Sequence, residues 1–243
     1  MSEPALRFSG VTKSYARTTV LSEVSFEVAR GRFFGLVGVN GAGKTTLLKC
    51  LLDFCAFERG RIEIFGVPHA APGARGRMAF LPERLNPGYY LTGEDFIRYT
   101  LDMHGAAYAR EAARAMLEAL DLDPAALTRP VRAYSKGMTQ KLGLAAALLS
   151  QRDLYVLDEP TSGLDPKARA LLKRQLAGLK STGRTVLFTS HALADVAELC
   201  DEMAVIHGGG LRFCGTPQAL CREYASDDLE QAFLTCIGSA LPA

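Results

Sequence analysis

The sequence predicts an α/β fold: a core of parallel strands and helices, an antiparallel β region ahead of it, and a helical block inserted within it. Three stretches carry this prediction. The apolar run Phe33-Phe34-Gly35-Leu36-Val37 leads into Gly38-Val39-Asn40-Gly41-Ala42-Gly43-Lys44-Thr45-Thr46 and then Leu47-Leu48-Lys49-Cys50-Leu51-Leu52, which read as strand, glycine-rich turn and helix. The run Leu154-Tyr155-Val156-Leu157 ends on Asp158-Glu159, as a buried parallel strand does when its C-terminal end faces a ligand. Between these two, residues 91–150 change to helical spacing.

In chain order, residues 5–11 and 20–28 read as strands. Leu21, Val24, Phe26 and Val28 are mostly alternate apolar positions, and Gly31-Arg32 ends the pair. Tyr15 falls in the turn between them, where its ring either stacks on a flat base or packs on its own hairpin. Residues 60–66 form a short strand bounded by glycines, 67–76 a Pro/Ala/Gly loop, and 78–81 a strand stopped by Pro82. Thr92, with Asp95 three residues on, caps a helix bearing Phe96, Ile97, Tyr99, Thr100 and Met103 at helical spacing. Residues 108–120 are a second helix, Pro124 opens a short third, and Ser135 starts a long one with Leu142, Ala145, Ala146 and Leu149 inward.

After the acidic strand, residues 166–180 form a helix with Leu171, Leu172, Leu176 and Leu179 on its apolar face. Residues 185–190 are a strand with His191 directly behind it, and 192–200 a helix. Residues 203–206 and 211–214 form a hairpin across Gly208-Gly209-Gly210, and an acid-capped helical tail from Asp227 carries Leu229, Phe233, Leu234 and Ile237. The expected organisation is one domain over 1–243, with 1–84 and 152–243 as the α/β core and 85–151 as the helical insert.

Gly38, Gly43, Lys44 and Thr45 stand at the spacing G-x-x-x-x-G-K-[ST]. Glycines let successive backbone N–H groups point inward at phosphate oxygens, and the following helix adds its free N–H groups and positive dipole end. Lys44 can then reach β- and γ-phosphates, and the Thr45 hydroxyl can ligate Mg²⁺. Asp158 is positioned to hold Mg²⁺ directly or through water, and Glu159 to take a proton from an attacking water; the alternative is a pair of acids capping the next turn. His191, at a strand's C-terminal edge, either bonds a γ-phosphate or the attacking water, or caps a helix.

Composition removes other classes. Among 243 residues, 48% are hydrophobic and 22% charged, ordinary for a globular protein. No apolar run nears the roughly 18–20 residues of a membrane span; residues 142–149 are the longest of interest. The opening MSEPALRFSG lacks the basic-then-apolar pattern of a signal peptide. A net charge of +2, with no basic block, gives no footprint for nucleic acid. The six cysteines form no C-x-x-C pair, so reduced thiols packed as small apolar residues in a cytosolic protein are expected.

The segment Tyr134-Ser135-Lys136-Gly137-Met138-Thr139-Gln140-Lys141, just upstream of the acidic strand, is similar to the signature motif of ATP-binding cassette (ABC) ATPases. With the phosphate loop ahead of it, the chain resembles that family over nearly all its length. The resemblance implies a P-loop NTPase core, ATP and Mg²⁺ as ligands, and ATP hydrolysis coupled to transport. It implies that Tyr15 stacks on adenine, that Thr46 touches the α-phosphate, that Glu159 is the catalytic base and that His191 is the switch histidine. Ser135 and Gly137 would meet the nucleotide on the other protomer's phosphate loop, and Ser162-Gly163-Leu164-Asp165 would let the two sites communicate. The implied partners are an integral membrane permease and a second copy or homologous subunit in a head-to-tail dimer, with the subunit peripheral on the cytoplasmic face of the membrane.

Departures from the family pattern are specific. Val39 replaces a common proline, and the signature reads YSKGM, so that Lys136 adds charge near the phosphate. Glu83 stands where the family has a glutamine that contacts Mg²⁺ and lines the groove for the membrane subunit. Leu81-Pro82-Glu83, the following Leu91-Thr92-Gly93 and the YSKGM signature resemble the branch that serves ABC-2-type exporters. The alternative is a soluble ABC ATPase acting on DNA, the ribosome or a regulator. DNA-end members carry long coiled coils and translation factors two cassettes, and neither is visible here. Intact Lys44, Asp158, Glu159 and His191 argue against a non-hydrolysing regulatory subunit.

Overall fold

The structure, a computed structural model, describes residues 3–238. The chain opens with β1 (Leu6–Tyr15), β2 (Thr18–Val28), β3 (Phe33–Val37), α1 (Lys44–Leu51), β4 (Arg59–Ile64), β5 (Val67–Pro68) and β6 (Met78–Leu81). Then come α2 (Gly93–Met103), α3 (Arg110–Ala119), α4 (Lys136–Leu149), β7 (Leu154–Leu157), α5 (Pro166–Ser181) and β8 (Thr185–Ser190). The last elements are α6 (Leu193–Leu199), β9 (Glu202–His207), β10 (Gly210–Gly215), α7 (Pro217–Glu223) and α8 (Leu229–Cys236). These divide into two compact units: one holds the chain up to Arg75 and from Thr185 onward, the other is Gly76–Arg184.

In the first unit, β2-β1-β4-β5 form an antiparallel sheet. Alternation puts Leu21, Val24, Phe26 and Val28 on its buried face, opposite Leu6, Phe8 and Val11, with Phe8 paired to Phe26. A second set of strands runs β10-β9-β3-β8, with β3 parallel to both β8 and β9. Every residue of β3 and β8 is buried, so neither strand shows the in-and-out alternation of a sheet with one solvated face. The rings of Phe8 and Phe26 stack at 4.6 Å and those of Phe26 and Phe34 at 5.3 Å, fastening the antiparallel sheet to β3.

In the second unit β6 and β7 are parallel, Met78 opposite Leu154 and Leu81 opposite Leu157, and the Asp158 N–H donates to the Leu81 carbonyl at 2.8 Å. Helix α4 is buried continuously from Gln140 to Leu148, so it is the centre of the helical block. The expected single face of Leu142, Ala145, Ala146 and Leu149 is too narrow; Leu149 is only half-buried. Its one buried cation, Lys141, donates to the Asp121 carbonyl at 2.8 Å and lies 3.4 Å from the Asp121 carboxylate, which also meets Lys167 at 2.5 Å.

Other expectations shift locally. β1 continues to Tyr15, which pairs with Thr18, so the turn is Ala16-Arg17 and Tyr15 ends the strand. Tyr99 and Met103 are exposed, because α2 buries the line of Ile97 and Leu101 instead. Residues 67–76 contain β5 and the start of a 3₁₀ turn, Ala74–Arg77. Helix α7 was not expected, although Thr216-Pro217 is a start signal and the Thr216 hydroxyl accepts from the Ala219 N–H. The tail helix is capped by Asp228 rather than Asp227.

The box at the start of α2 is complete: Thr92 Oγ1 accepts from the Asp95 N–H at 3.2 Å, and Asp95 accepts from the Thr92 N–H at 3.0 Å. Thr92→Ala should cost about 1 kcal/mol of stability, read as a lower urea midpoint at unchanged m-value. Asp95 is held below its ordinary carboxyl value of 3.8, first by the Thr92 hydroxyl and then by the Thr92 backbone N–H. The stability it contributes is present above that ordinary value and is lost as pH falls through the depressed folded one, so Thr92→Ala should also flatten the acid limb.

Candidate functional site

The loop between β3 and α1 takes its shape from three glycines. A Cβ on Gly38 would collide with the Ile206 carbonyl of β9. Gly43, at φ 110°, has Leu21 Cδ2 2.8 Å and the Val20 carbonyl 2.9 Å from where a Cβ would stand. Gly41 has φ 79°. Lys44, only 7% exposed, turns back to donate to the Gly38 carbonyl at 2.5 Å and the Val39 carbonyl at 3.3 Å. Gly43 offers α1 no side-chain cap, and Val39, Asn40, Gly41 and Thr45 are exposed. The result is a short cradle whose helix end has N–H groups suited to an anion.

Two further sequence-derived positions join this loop in the same unit. The register of β3 on β8 sets Val37 opposite Ser190, which brings exposed His191 level with Gly38. Tyr15 is 46% exposed and donates from its hydroxyl to Cys55 Sγ at 3.7 Å, with Lys13 Nζ 4.8 Å from its ring centre. The bond to Cys55 raises the Tyr15 pKa above the ordinary tyrosine value, against a smaller pull from the Thr46 hydroxyl on α1. The ring is thereby tied to the segment that follows α1.

The second unit gathers the remaining positions. Asp158 and Glu159 follow β7 and are buried at 4% and 8% exposure. Glu159 holds a left-handed backbone, φ 49°, and its carbonyl accepts from the Ser162 N–H at 3.0 Å. The pairing of β6 with β7 ends at Leu81 opposite Leu157, and half-buried Glu83 follows two residues beyond it. Ser135 caps α4, its Oγ accepting from the Met138 N–H at 3.2 Å. The α4 start packs on the loop that follows β7: a Cβ on Gly137 would stand 3.5 Å from the Gly163 carbonyl, and Lys136 Cε lies 3.3 Å from the corresponding point on Gly163. Asp165 ends this loop as the cap of α5, accepting from the Ala168 N–H at 2.9 Å.

The family model described as ABC transporter matches residues 21–162. The chain belongs to the ABC transporter family. Within that family it is 37% identical to "Nod factor export ATP-binding protein I" of Ralstonia nicotianae, over all of this chain and 75% of that one. It is also 37% identical to the protein of the same name from Paraburkholderia xenovorans, over 96% of this chain and 78% of that one. Among solved structures it is similar to an ATP binding subunit of an ABC transporter, with TM-score 0.90 and 29% identity over 96% of this chain and 99% of that one. A bacterial Atm1-family ABC exporter with ATP bound gives TM-score 0.82 and 25% identity over 99% of this chain and 43% of that one.

This ABC chain is thus an ATPase subunit of a transporter, built on the expected α/β fold. Tertiary contacts add what no motif marked. Cys55 meets Tyr15. Arg84, Asn86 and Thr139 line a cavity of about 460 Å³ with Glu83, Tyr134 and Lys136. Gly43→Ala should disturb the loop through both its φ and its contact with Val20 and Leu21. The expected result is a stability loss of about 1–3 kcal/mol and a large rise in the ATP Kd, measured by denaturant titration and calorimetry.

Proposed function

We propose that this subunit drives export through a separate integral membrane permease, working at the cytoplasmic membrane face as a head-to-tail dimer with itself or a homologous subunit. The observation that carries the reading is the phosphate loop, with Lys44 folded over its carbonyls and α1 left without a side-chain cap. Export is the activity named for its Ralstonia and Paraburkholderia relatives and for the Atm1-family neighbour. The whole of 1–243 then acts as one ATP-binding domain, with 85–151 transmitting motion to the permease.

ATP lies with its phosphates on residues 38–46: backbone N–H groups of the loop and the Lys44 ammonium bind the β- and γ-phosphates, and Thr46 meets the α-phosphate. Tyr15 takes the adenine face. Exposed Thr45 and buried Asp158 are oxygen donors of the kind Mg²⁺ accepts, with half-buried Glu83 as a third. Bound there, Mg²⁺ would neutralise charge on the phosphates. Glu159 orients the attacking water and accepts its proton at the carboxylate, and His191 bonds the γ-phosphate or that water. Ser135 and Gly137, at the start of α4, stabilise charge on the nucleotide of the opposite protomer. Asp165 fixes the loop through which the two sites communicate.

Glu159→Gln should leave the ATP Kd within about twofold while lowering phosphate release roughly 10²–10⁴-fold. Turnover at the unaltered rate would remove Glu159 from the role of base. The permease reading is checked by purifying the tagged protein from detergent-solubilised membranes. A multi-span protein should accompany it in stoichiometric amount, whereas ribosomal or soluble partners alone would count against transport.

A further inference from the structure

We infer that Cys50 and Cys55 form a reversible disulfide, made by a hydroperoxide oxidant, that releases Tyr15 and lowers the affinity for ATP. The inference rests on the adenine-stacking role proposed for Tyr15. Its structural basis is independent of that role. Cys50 lies in the last turn of α1 and is fully buried. The helix stops at Leu51, and Asp53 takes a left-handed conformation at φ 61°. The Phe54 N–H then folds back to the Lys49 carbonyl at 2.9 Å. This reversal returns half-buried Cys55 to Cys50, with the two Sγ atoms 3.6 Å apart. The same Cys55 sulfur accepts the hydrogen bond of Tyr15 at 3.7 Å.

These contacts join the thiol pair to the phosphate-loop helix at one end and to the stacking ring at the other. A disulfide has sulfurs about 2.05 Å apart, so the pair must close by about 1.5 Å. Cys50 is held inside α1, whereas Cys55 sits in the irregular segment between α1 and β4. The movement therefore falls on Cys55 and draws its sulfur away from the Tyr15 hydroxyl. Neither cysteine belongs to the phosphate loop or to the acidic pair, so oxidation would act through Tyr15 and leave the hydrolytic groups in place.

The more accessible Cys55 sulfur attacks one peroxide oxygen, and the O–O bond breaks; Cys55 becomes a sulfenic acid and water leaves. The Cys50 sulfur then attacks the Cys55 sulfur, the S–OH bond breaks, and the departing hydroxide takes the Cys50 proton as a second water. Two electrons pass from the thiols to the peroxide. Burial first, and then the neighbouring Cys55, push Cys50 up to about 12, which assigns the first attack to Cys55. A small dithiol such as dithiothreitol reverses the bond by thiol exchange.

The test uses the full chain treated with hydrogen peroxide. Trypsin cutting after Lys49 and Arg59 releases residues 50–59, which carry both cysteines, so the disulfide appears as the loss of two hydrogens from one peptide. That loss should be reversed by dithiothreitol and absent from Cys55→Ser. The oxidised protein should bind ATP roughly tenfold more weakly, the order of one aromatic–base stack, and Cys55→Ser should keep its affinity through the treatment. An unchanged peptide mass, or a disulfide with unchanged ATP affinity, overturns the inference. Tyr15→Ala in the reduced protein separates the two readings. If it leaves the ATP Kd unchanged, the stacking assignment fails whatever the cysteines do; if it raises the Kd while the disulfide does not, the switch alone fails.

Discussion

Lys44 turns its ammonium inward and ties the two carbonyls at the start of the phosphate loop. The contact places a cation, with little exposure, against the backbone of the loop. It depends on Gly38 passing close under the Ile206 carbonyl and on Gly43 pressing against Val20 and Leu21. The loop is therefore wedged between β9 on one side and β2 on the other. The stacked rings of Phe8, Phe26 and Phe34 keep β2 and β3 in the spacing that this wedge requires. Packing of three aromatic rings thus becomes a positional constraint on a phosphate cradle.

The second unit solves a related problem with a buried helix. α4 must present its first turn in a defined place, and it does so by being enclosed along most of its length. Gly143 and Ala145 to Ala147 keep the helix narrow enough for α2, α3 and β6 to approach. The buried Lys141 is compatible with this because Asp121 supplies both a carbonyl and a carboxylate. Near its start, Gly137 and Lys136 rest on Gly163, so the signature segment and the loop preceding α5 share a surface. Ser135 and Asp165 are helix caps, each fixing the backbone of the first turn that follows it.

The sequence by itself determined the periodic and punctuated parts. Continuous apolar runs named β3 and β7 because strands buried on both faces have no polar alternation to confuse the reading. The G-x-x-x-x-G-K-[ST] spacing, the Thr92–Asp95 box and Pro166 were legible because each is a local rule of backbone geometry. The acids at 158 and 159 and the signature segment were legible as motifs, and family likeness supplied their implied roles. Tertiary structure decided what depends on residues distant in the chain. Tyr15 became the end of a strand, because pairing with Thr18 extends β1 through it. Tyr99 and Met103 became exposed, because the neighbours of α2 take the Ile97–Leu101 line. α4 became buried all round, and Cys55 came to lie between Cys50 and Tyr15. Helical and strand periods report only which faces a segment can bury; which neighbour arrives, and from how many sides, is fixed by packing across the whole chain.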